Sequence, residues 1–201
     1  FGGFNWERLL EIGSVQWPVN EQHPEGSPVM HVEGFVRGKG KFVVTDYIPT
    51  DEKTGPRYPL LLTTGRILTQ YNVGAQTRRT GNVVWHQEDL LEMHPADAEN
   101  RGLKSDDWAR LASRKGETTL RVLVTDRVAP GVVYTTFHHP ETQANVVTTD
   151  FSDWATNCPE YKVTAVQVMP SNGPTEWQEE YTELSERSRR IAPDEAMEPA
   201  E

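Results

Sequence analysis

The chain has 201 residues, a hydrophobic fraction of 36% with six tryptophans, and 30 acidic against 20 basic side chains. That suffices for one compact core with segments attached to it. The formal charge of −10 weighs against nucleic acid or an anionic membrane as the main partner, because both carry the same sign. No apolar run approaches the roughly 20 residues needed to cross a bilayer, so no membrane span is expected. The start, Phe1-Gly2-Gly3-Phe4-Asn5-Trp6, lacks an initiator methionine and the basic and apolar regions of a secretory signal; a processed chain or a piece of something longer is expected. The single cysteine, Cys158, excludes an internal disulfide and an all-cysteine iron–sulfur site within this segment. It reads as an inert packed thiol, and its solitude is compatible with a cytoplasmic location.

In chain order, residues 1–57 read as an approach segment. Asn5 is placed to cap a short helix carrying Trp6, Leu9, Leu10 and Ile12, which Gly13 ends. Turn-rich sequence follows from Pro18 to Pro28, then Gly38–Lys41 leads into the apolar run Phe42-Val43-Val44, and residues 50–56 look like a solvated linker. A body is expected over residues 58–170. Leu60–Thr64 reads as a strand buried on both faces and stopped by Gly65. Residues 94–102 place Pro95 near a helix start and Gly102 just past its end. Trp108–Ala112 is a candidate strand, and Arg114-Lys115-Gly116 a turn. Thr118–Thr125 alternates with Leu120, Val122 and Val124 on one face. Ala129-Pro130-Gly131 turns the chain into a strand over 132–137, and Lys162–Met169 closes the body. Many short strands with one or two helices imply a β-barrel with helical excursions.

Residues 171–201 differ. Thr175 and Gln178 fit a capping box. Trp177, Tyr181, Leu184 and Ile191 share one helical face, with Arg187, Arg189 and Arg190 near the end, where cations suit the helix dipole. Such a helix docks either on its own protein or on another subunit. Residues 192–201 have the composition of a disordered tail.

Little in the chain reads as catalytic. His138 and His139 are adjacent, so on a strand they point to opposite faces and make a poor bidentate metal site. No serine lies in a nucleophile elbow, and no Gly-x-Gly-x-x-Gly follows a strand. The informative feature is Thr64-Gly65-Arg66, directly after a buried strand. Glycine lets backbone amides approach an anion, and arginine holds a phosphate bidentately, although a strand followed by Gly-Arg is ordinarily only a turn. Thr77-Arg78-Arg79-Thr80-Gly81 adds a basic knot in an acidic chain. It reads either as part of a phosphate site or as surface arginines paired with nearby acids. Bottom-up, this is a binding domain.

The run from Leu62 to Asn72, Leu-Thr-Thr-Gly-Arg-Ile-Leu-Thr-Gln-Tyr-Asn, resembles the signature that opens the molybdopterin dinucleotide-binding domain of formate dehydrogenases and periplasmic nitrate reductases. Thr77-Arg78-Arg79, His94–Ala98, Thr125–Val133, Phe137, Asn145 and Pro159-Glu160-Tyr161-Lys162 are similar to that family's later motifs, in the same order. Trp6–Leu9, Val15–Pro18 and the strand-like Gly40-Lys41-Phe42 resemble the segment preceding this domain. Where nitrate reductases commonly carry His-Trp-His, this chain has Gln70-Tyr71-Asn72, which favours the formate dehydrogenase branch.

The resemblance implies a mainly β fold with short helices: a six-stranded double-psi β-barrel with a helical C-terminal extension. It implies bis-molybdopterin guanine dinucleotide with molybdenum or tungsten. Thr64, Gly65 and Arg66 would line phosphate or pterin, with Gln70, Tyr71 and Asn72 beside them and Arg78 at the second loop. Phe137, Asn145, Tyr161 and Lys162 would pack on and hydrogen-bond a pterin. The metal ligand and the catalytic residues would lie outside this segment, so no catalytic or metal-binding residue is expected here. The implied parent is the catalytic subunit of a formate dehydrogenase, with iron–sulfur clusters, FMN and NAD in the complex and a diaphorase-type NAD-binding subunit as partner. A periplasmic-type nitrate reductase and a cofactor-free double-psi barrel serving as an interaction module are the rival expectations.

Overall fold

The computed structural model describes residues 2–35 and 37–191, the last six of these by backbone alone. The chain divides into two compact units, Phe1–Ile48 and Pro49–Glu201.

The first unit holds one regular element, α1 (Trp6–Ile12). Asn5 is its N-cap: the side-chain oxygen accepts the Arg8 amide at 2.8 Å, satisfying a donor that the first turn cannot. Gly13 ends it with φ +79°, a conformation that costs glycine nothing. Val19 is the buried apolar residue of this unit. The expected strand at Phe42 is absent: residues 41–50 adopt no regular structure, and Phe42 and Val44 are 98% and 95% exposed. A strand needs a neighbour for its backbone ladder, and none pairs with this run among the described residues.

The second unit is built on β1 (Leu60–Gly65), β2 (Leu90–Met93), β3 (Trp108–Ala112), β4 (Glu117–Val124), β5 (Val132–Thr136) and β6 (Thr164–Pro170). They close into a barrel in the order β1-β5-β2-β4-β3-β6, with β6 returning to β1. Two pairs are parallel, β1 with β5 and β2 with β4; the other four are antiparallel. This is the mainly β, six-stranded barrel with short helices that the sequence leads one to expect. Closure leaves no strand edge unpaired. The missing element in the sequence reading is β2, whose Leu-Leu-Glu-Met carries neither alternation nor β-branched residues.

One face of each strand fills the interior. Leu60, Leu62, Leu91, Met93, Leu111, Leu120, Val122, Val133, Val166 and Val168 are buried together, with Val124 packed against them. Each such side chain contributes about 1.5–3 kcal/mol on burial. β1 is buried on one face only, since Leu61 and Thr63 are half-exposed.

Helices fill the connections. α2 (Pro95–Glu99) begins at His94, whose ring nitrogen accepts the Ala96 amide at 3.2 Å, and Gly102 turns the chain away at φ +64°. The short α3 (Ala144–Val147) follows a left-handed Gln143. α4 (Glu176–Ile191) opens with the expected capping box: Gln178 Oε1 accepts the Thr175 amide at 2.8 Å, and the Gln178 amide donates to Thr175 Oγ1 at 3.3 Å. Gln178 also docks the helix. Its Nε2 donates to the Thr119 carbonyl at 2.9 Å and the Glu141 carbonyl at 3.0 Å, while its Oε1 accepts the Thr119 hydroxyl. The apolar face expected to dock is instead largely exposed: Trp177 stacks on Tyr181 with centroids 5.1 Å apart, and Leu184 is 59% exposed. The side chains of Arg187, Arg189, Arg190 and Ile191, and the whole of the expected tail 192–201, lie outside the described residues.

Candidate functional site

Strand register brings distant segments to one end of the barrel. β1 and β5 run parallel with Gly65 opposite Thr136, so both strands exit on the same side. β6 is antiparallel to β1, with Thr164 opposite Leu62, so the residues entering β6 lie beside those leaving β1. β2 is antiparallel to β5, so the residues before β2 also meet the exit of β5. Residues 64–72, 89, 134–139 and 161–162 therefore converge, although nearly a hundred positions separate the extremes.

The bond between β1 and the entry to β6 is explicit. Thr64 Oγ1 donates to the Tyr161 carbonyl at 3.3 Å, and Lys162 Nζ donates to the Thr64 carbonyl at 3.0 Å while lying 6.0 Å from the Tyr161 ring centroid. Gly65 has no room for a side chain: an added Cβ would sit 2.6 Å from Tyr134 Oη. That hydroxyl donates to the Arg66 carbonyl at 3.1 Å. Burial, and then the nearby Glu92 carboxylate, push the Tyr134 pKa upward, which keeps it a donor.

Arg66 is exposed. Its guanidinium lies 5.3 Å from the Phe137 ring centroid and donates to Asn72 Oδ1 at 3.2 Å. Asn72 is left-handed at φ +47°. The next turn is buttoned to this loop by Thr77, whose hydroxyl donates to buried Gln70 Oε1 at 2.7 Å and accepts the Tyr71 amide at 3.1 Å. Arg78 lies in the 3₁₀ turn Thr77–Arg79 and packs on Gly74, where an added Cβ would sit 2.8 Å from Arg78 Nε. Thus Thr64, Gly65, Arg66, Gln70, Tyr71, Asn72, Arg78, Phe137, Tyr161 and Lys162 form one connected group. Asn145 stands apart. It is exposed on α3, its carbonyl accepts Thr148 Oγ1 at 3.3 Å, and among the described residues no hydrogen bond joins its side chain to the group.

Two residues essential to this geometry escaped the sequence reading as site residues. Buried His138 accepts the Ile67 amide on Nε2 at 3.2 Å, and its Nδ1 meets the Asn72 carbonyl. Asp89 fixes the exit of β5: its carboxylate accepts the His138 amide at 3.2 Å, the His139 amide at 2.9 Å, His139 Nδ1 at 3.0 Å and the Thr136 hydroxyl. Burial, the largest influence, raises its pKa; the hydrogen bonds from the His139 ring, Thr136 and the His139 amide together outweigh it, so the carboxyl sits below its ordinary value. The two histidines lie past the end of β5, not on the strand expected there, and their rings turn to different partners. Asp89 carries no sequence signal, because its partners lie 47 to 50 positions away.

The group is rich in donors. Arg66 and Lys162 bring cations to the rim, while the buried Gln70 Nε2 and Arg78 Nε have no acceptor among the described residues. Added acceptor oxygens, such as those of a diphosphate, suit a loop so composed. The donor set thus fits a phosphorylated cofactor. Among the described residues, no cluster of three or more His, Cys, Asp or Glu is placed to hold a metal ion, and no helix is long and apolar enough to cross a membrane. Cys158 is exposed rather than packed. Its amide donates to Asp153 at 2.8 Å; hydrogen bonds from Thr156 and Cys158 lower the pKa of that carboxyl to about 2. A cavity of about 930 Å³ lies beside the group, where Arg78, Asp89 and His139 face Trp108, Thr119 and helix α4.

Comparison with known proteins identifies the family. Residues 60–165 match the family described as "Molydopterin dinucleotide binding domain". The chain is 35% identical over 171 residues to the F420-dependent formate dehydrogenase 1 subunit alpha of Methanococcus maripaludis, and 37% identical to the corresponding subunit 2 alpha; each alignment covers 84% of this chain and 25% of the relative. It is 28% identical over 177 residues to the assimilatory nitrate reductase catalytic subunit of Bacillus subtilis, covering 85% of this chain and 25% of that protein. The chain therefore spans about a quarter of the length of these curated relatives. With a six-stranded barrel, a glycine-tight exit from its first strand and a family match across more than half its length, this chain belongs to the molybdopterin dinucleotide-binding domain family.

Proposed function

We propose that this barrel end holds the phosphate and pterin portions of a molybdopterin guanine dinucleotide within the catalytic subunit of a formate dehydrogenase. The observation that carries the reading is the convergence of Arg66, Lys162 and Gly65, the last residue of β1, on one rim, next to buried donors that have no acceptor among the described residues. The formate dehydrogenase alpha subunits among the relatives support the choice of enzyme, as does Gln70-Tyr71-Asn72 in place of the nitrate reductase pattern.

In this reading residues 58–170 are the cofactor-holding domain, 171–201 an extension, and 1–57 the approach from the preceding domain. When bound as the bis form, the cofactor supplies the two-electron chemistry of a molybdenum or tungsten ion ligated from outside this segment. This chain's residues bind and orient. Arg66 and Lys162 neutralise phosphate charge, the Thr64 and Tyr161 region forms the wall, and Phe137 stiffens Arg66 by lying under it. Asn145 would join by hydrogen-bonding a pterin edge. The remaining partners are the rest of the catalytic subunit, iron–sulfur clusters, FMN and a diaphorase-type NAD-binding subunit, in the cytoplasm. Because two relatives are named as F420-dependent, both NAD and F420 belong in the acceptor assay.

The test is the enzyme containing this domain, assayed with formate and a dye acceptor, then with NAD and F420, alongside nitrate reduction. Formate-dependent reduction with no nitrate turnover is expected. Nitrate turnover alone would transfer the domain to the nitrate reductase reading, which the Bacillus subtilis relative supports. Absence of guanine nucleotide after acid release would leave the cofactor-free interaction module.

A further inference from the structure

His138 is fully buried at the cofactor end of the barrel and is neither a rim cation nor a wall of the proposed site. Both of its ring nitrogens are committed to the backbone of one loop. Nε2 accepts the Ile67 amide at 3.2 Å, which requires that nitrogen to be unprotonated. Nδ1 then carries the hydrogen and donates to the Asn72 carbonyl. Only one neutral tautomer of imidazole satisfies both contacts. The span so closed begins just after Arg66 and ends at Asn72, whose side chain accepts from Arg66 at 3.2 Å and whose backbone is left-handed at φ +47°. The ring itself sits on a fixed peg, because the His138 amide donates to Asp89.

We propose that neutral His138 is the positioning residue that closes the 67–72 loop and aims Arg66 and Asn72. The charged and titratable groups around it come from four places. Asp89, before β2, bonds its amide, and His139 follows it and shares Asp89. Arg66, after β1, lies over the neighbouring Phe137 ring. Arg78 approaches through Gly74, where an added Cβ would also sit 2.7 Å from the His138 carbonyl. Asp89 remains ionised throughout the range in which a histidine titrates, since its pKa lies below 3.8. The functional consequence rests on reading this loop as a phosphate holder; the closure itself does not.

Hydrogen–deuterium exchange of the peptide containing Ile67, in the full-length apo-protein, tests the closure. Rates corrected for intrinsic exchange are compared for wild type, His138→Phe and His138→Gln. Wild type is expected to protect the Ile67 amide. The phenylalanine variant, lacking both contacts, exchanges about tenfold faster. The glutamine variant, with a donor and an acceptor, keeps part of the protection. Unchanged exchange in a folded His138→Phe, or in His138→Gln, overturns the proposal; the glutamine comparison suffices if the phenylalanine variant does not fold. Guanine nucleotide content of the same variants separates the two readings. An opened loop with full nucleotide retention would uphold His138 as the closing residue and remove the loop from the cofactor site.

Discussion

Gly65 and Arg66 are neighbours with opposite demands: one must have no side chain, and the other must have a long charged one. Gly65→Ala would drive a methyl group to 2.6 Å from Tyr134 Oη, so the ring must move and release the Arg66 carbonyl. We expect destabilisation of about 1–3 kcal/mol by urea unfolding, as for other overpacked sites, together with reduced cofactor content. Arg66→Ala leaves the fold intact and should lower cofactor retention by about ten- to a hundredfold, the loss of one charge-assisted contact. Normal retention would mean that its stacking on Phe137 serves another purpose. Asp89 makes a prediction in pH. Because its folded pKa is depressed, its contribution is present above the unfolded value of 3.8 and disappears as pH falls through the lower folded value. Asp89→Asn should therefore be less stable than wild type near neutrality, by about 1.5–3 kcal/mol, with the two converging under strong acid. A constant gap at all pH values would contradict this. At this scale, Thr64-Gly65-Arg66 was legible because its chemistry is local. His138 and Asp89 were not, because each acquires its role only when β2, β5 and the loop after β1 are brought together.

Single elements were readable where their signals were self-contained. Asn5, Gly13 and the Thr175–Gln178 box all act within a few residues of their own helix, and each sits where its chemistry requires. β2 was missed because two leucines, a glutamate and a methionine announce a strand only in the company of β4 and β5. Phe42-Val43-Val44 failed in the opposite sense, with strand composition but no strand beside it. In α4, the helical spacing of Trp177, Tyr181, Leu184 and Ile191 pointed to them as the docking face, whereas a polar residue performs that role. Gln178 is 6% exposed and ties three segments together. Gln178→Ala should free α4 from β4, raising hydrogen exchange in residues 176–185 while strands β1–β6 stay protected. The cost is about 1–3 kcal/mol, because carbonyls of Thr119 and Glu141 lose their donor. Equal protection of α4 in the variant would show that the exposed aromatic face holds the helix after all.

For the molecule as a whole, closure of the barrel is what makes the site. The register of β1 with β5 and β6 places a close-packed glycine, a lysine and a histidine clamp at one rim, and a one-residue slip would turn every side chain to the opposite face. The interior that fixes this register is well packed, so Leu111→Ala should lower stability by about 2–5 kcal/mol without altering the identity of the rim residues. The fold class followed from the count and spacing of short strands. Strand order did not, since pairings such as β1 with β5 join segments with no local signal of each other. The most direct test of the central claim is a structure of the full enzyme with its cofactor in place. The account predicts diphosphate oxygens within hydrogen-bonding distance of Arg66 or Lys162, at the rim beyond Gly65. A cofactor seated on another surface, such as the cavity beside α4, with Arg66 and Lys162 facing solvent, would contradict it.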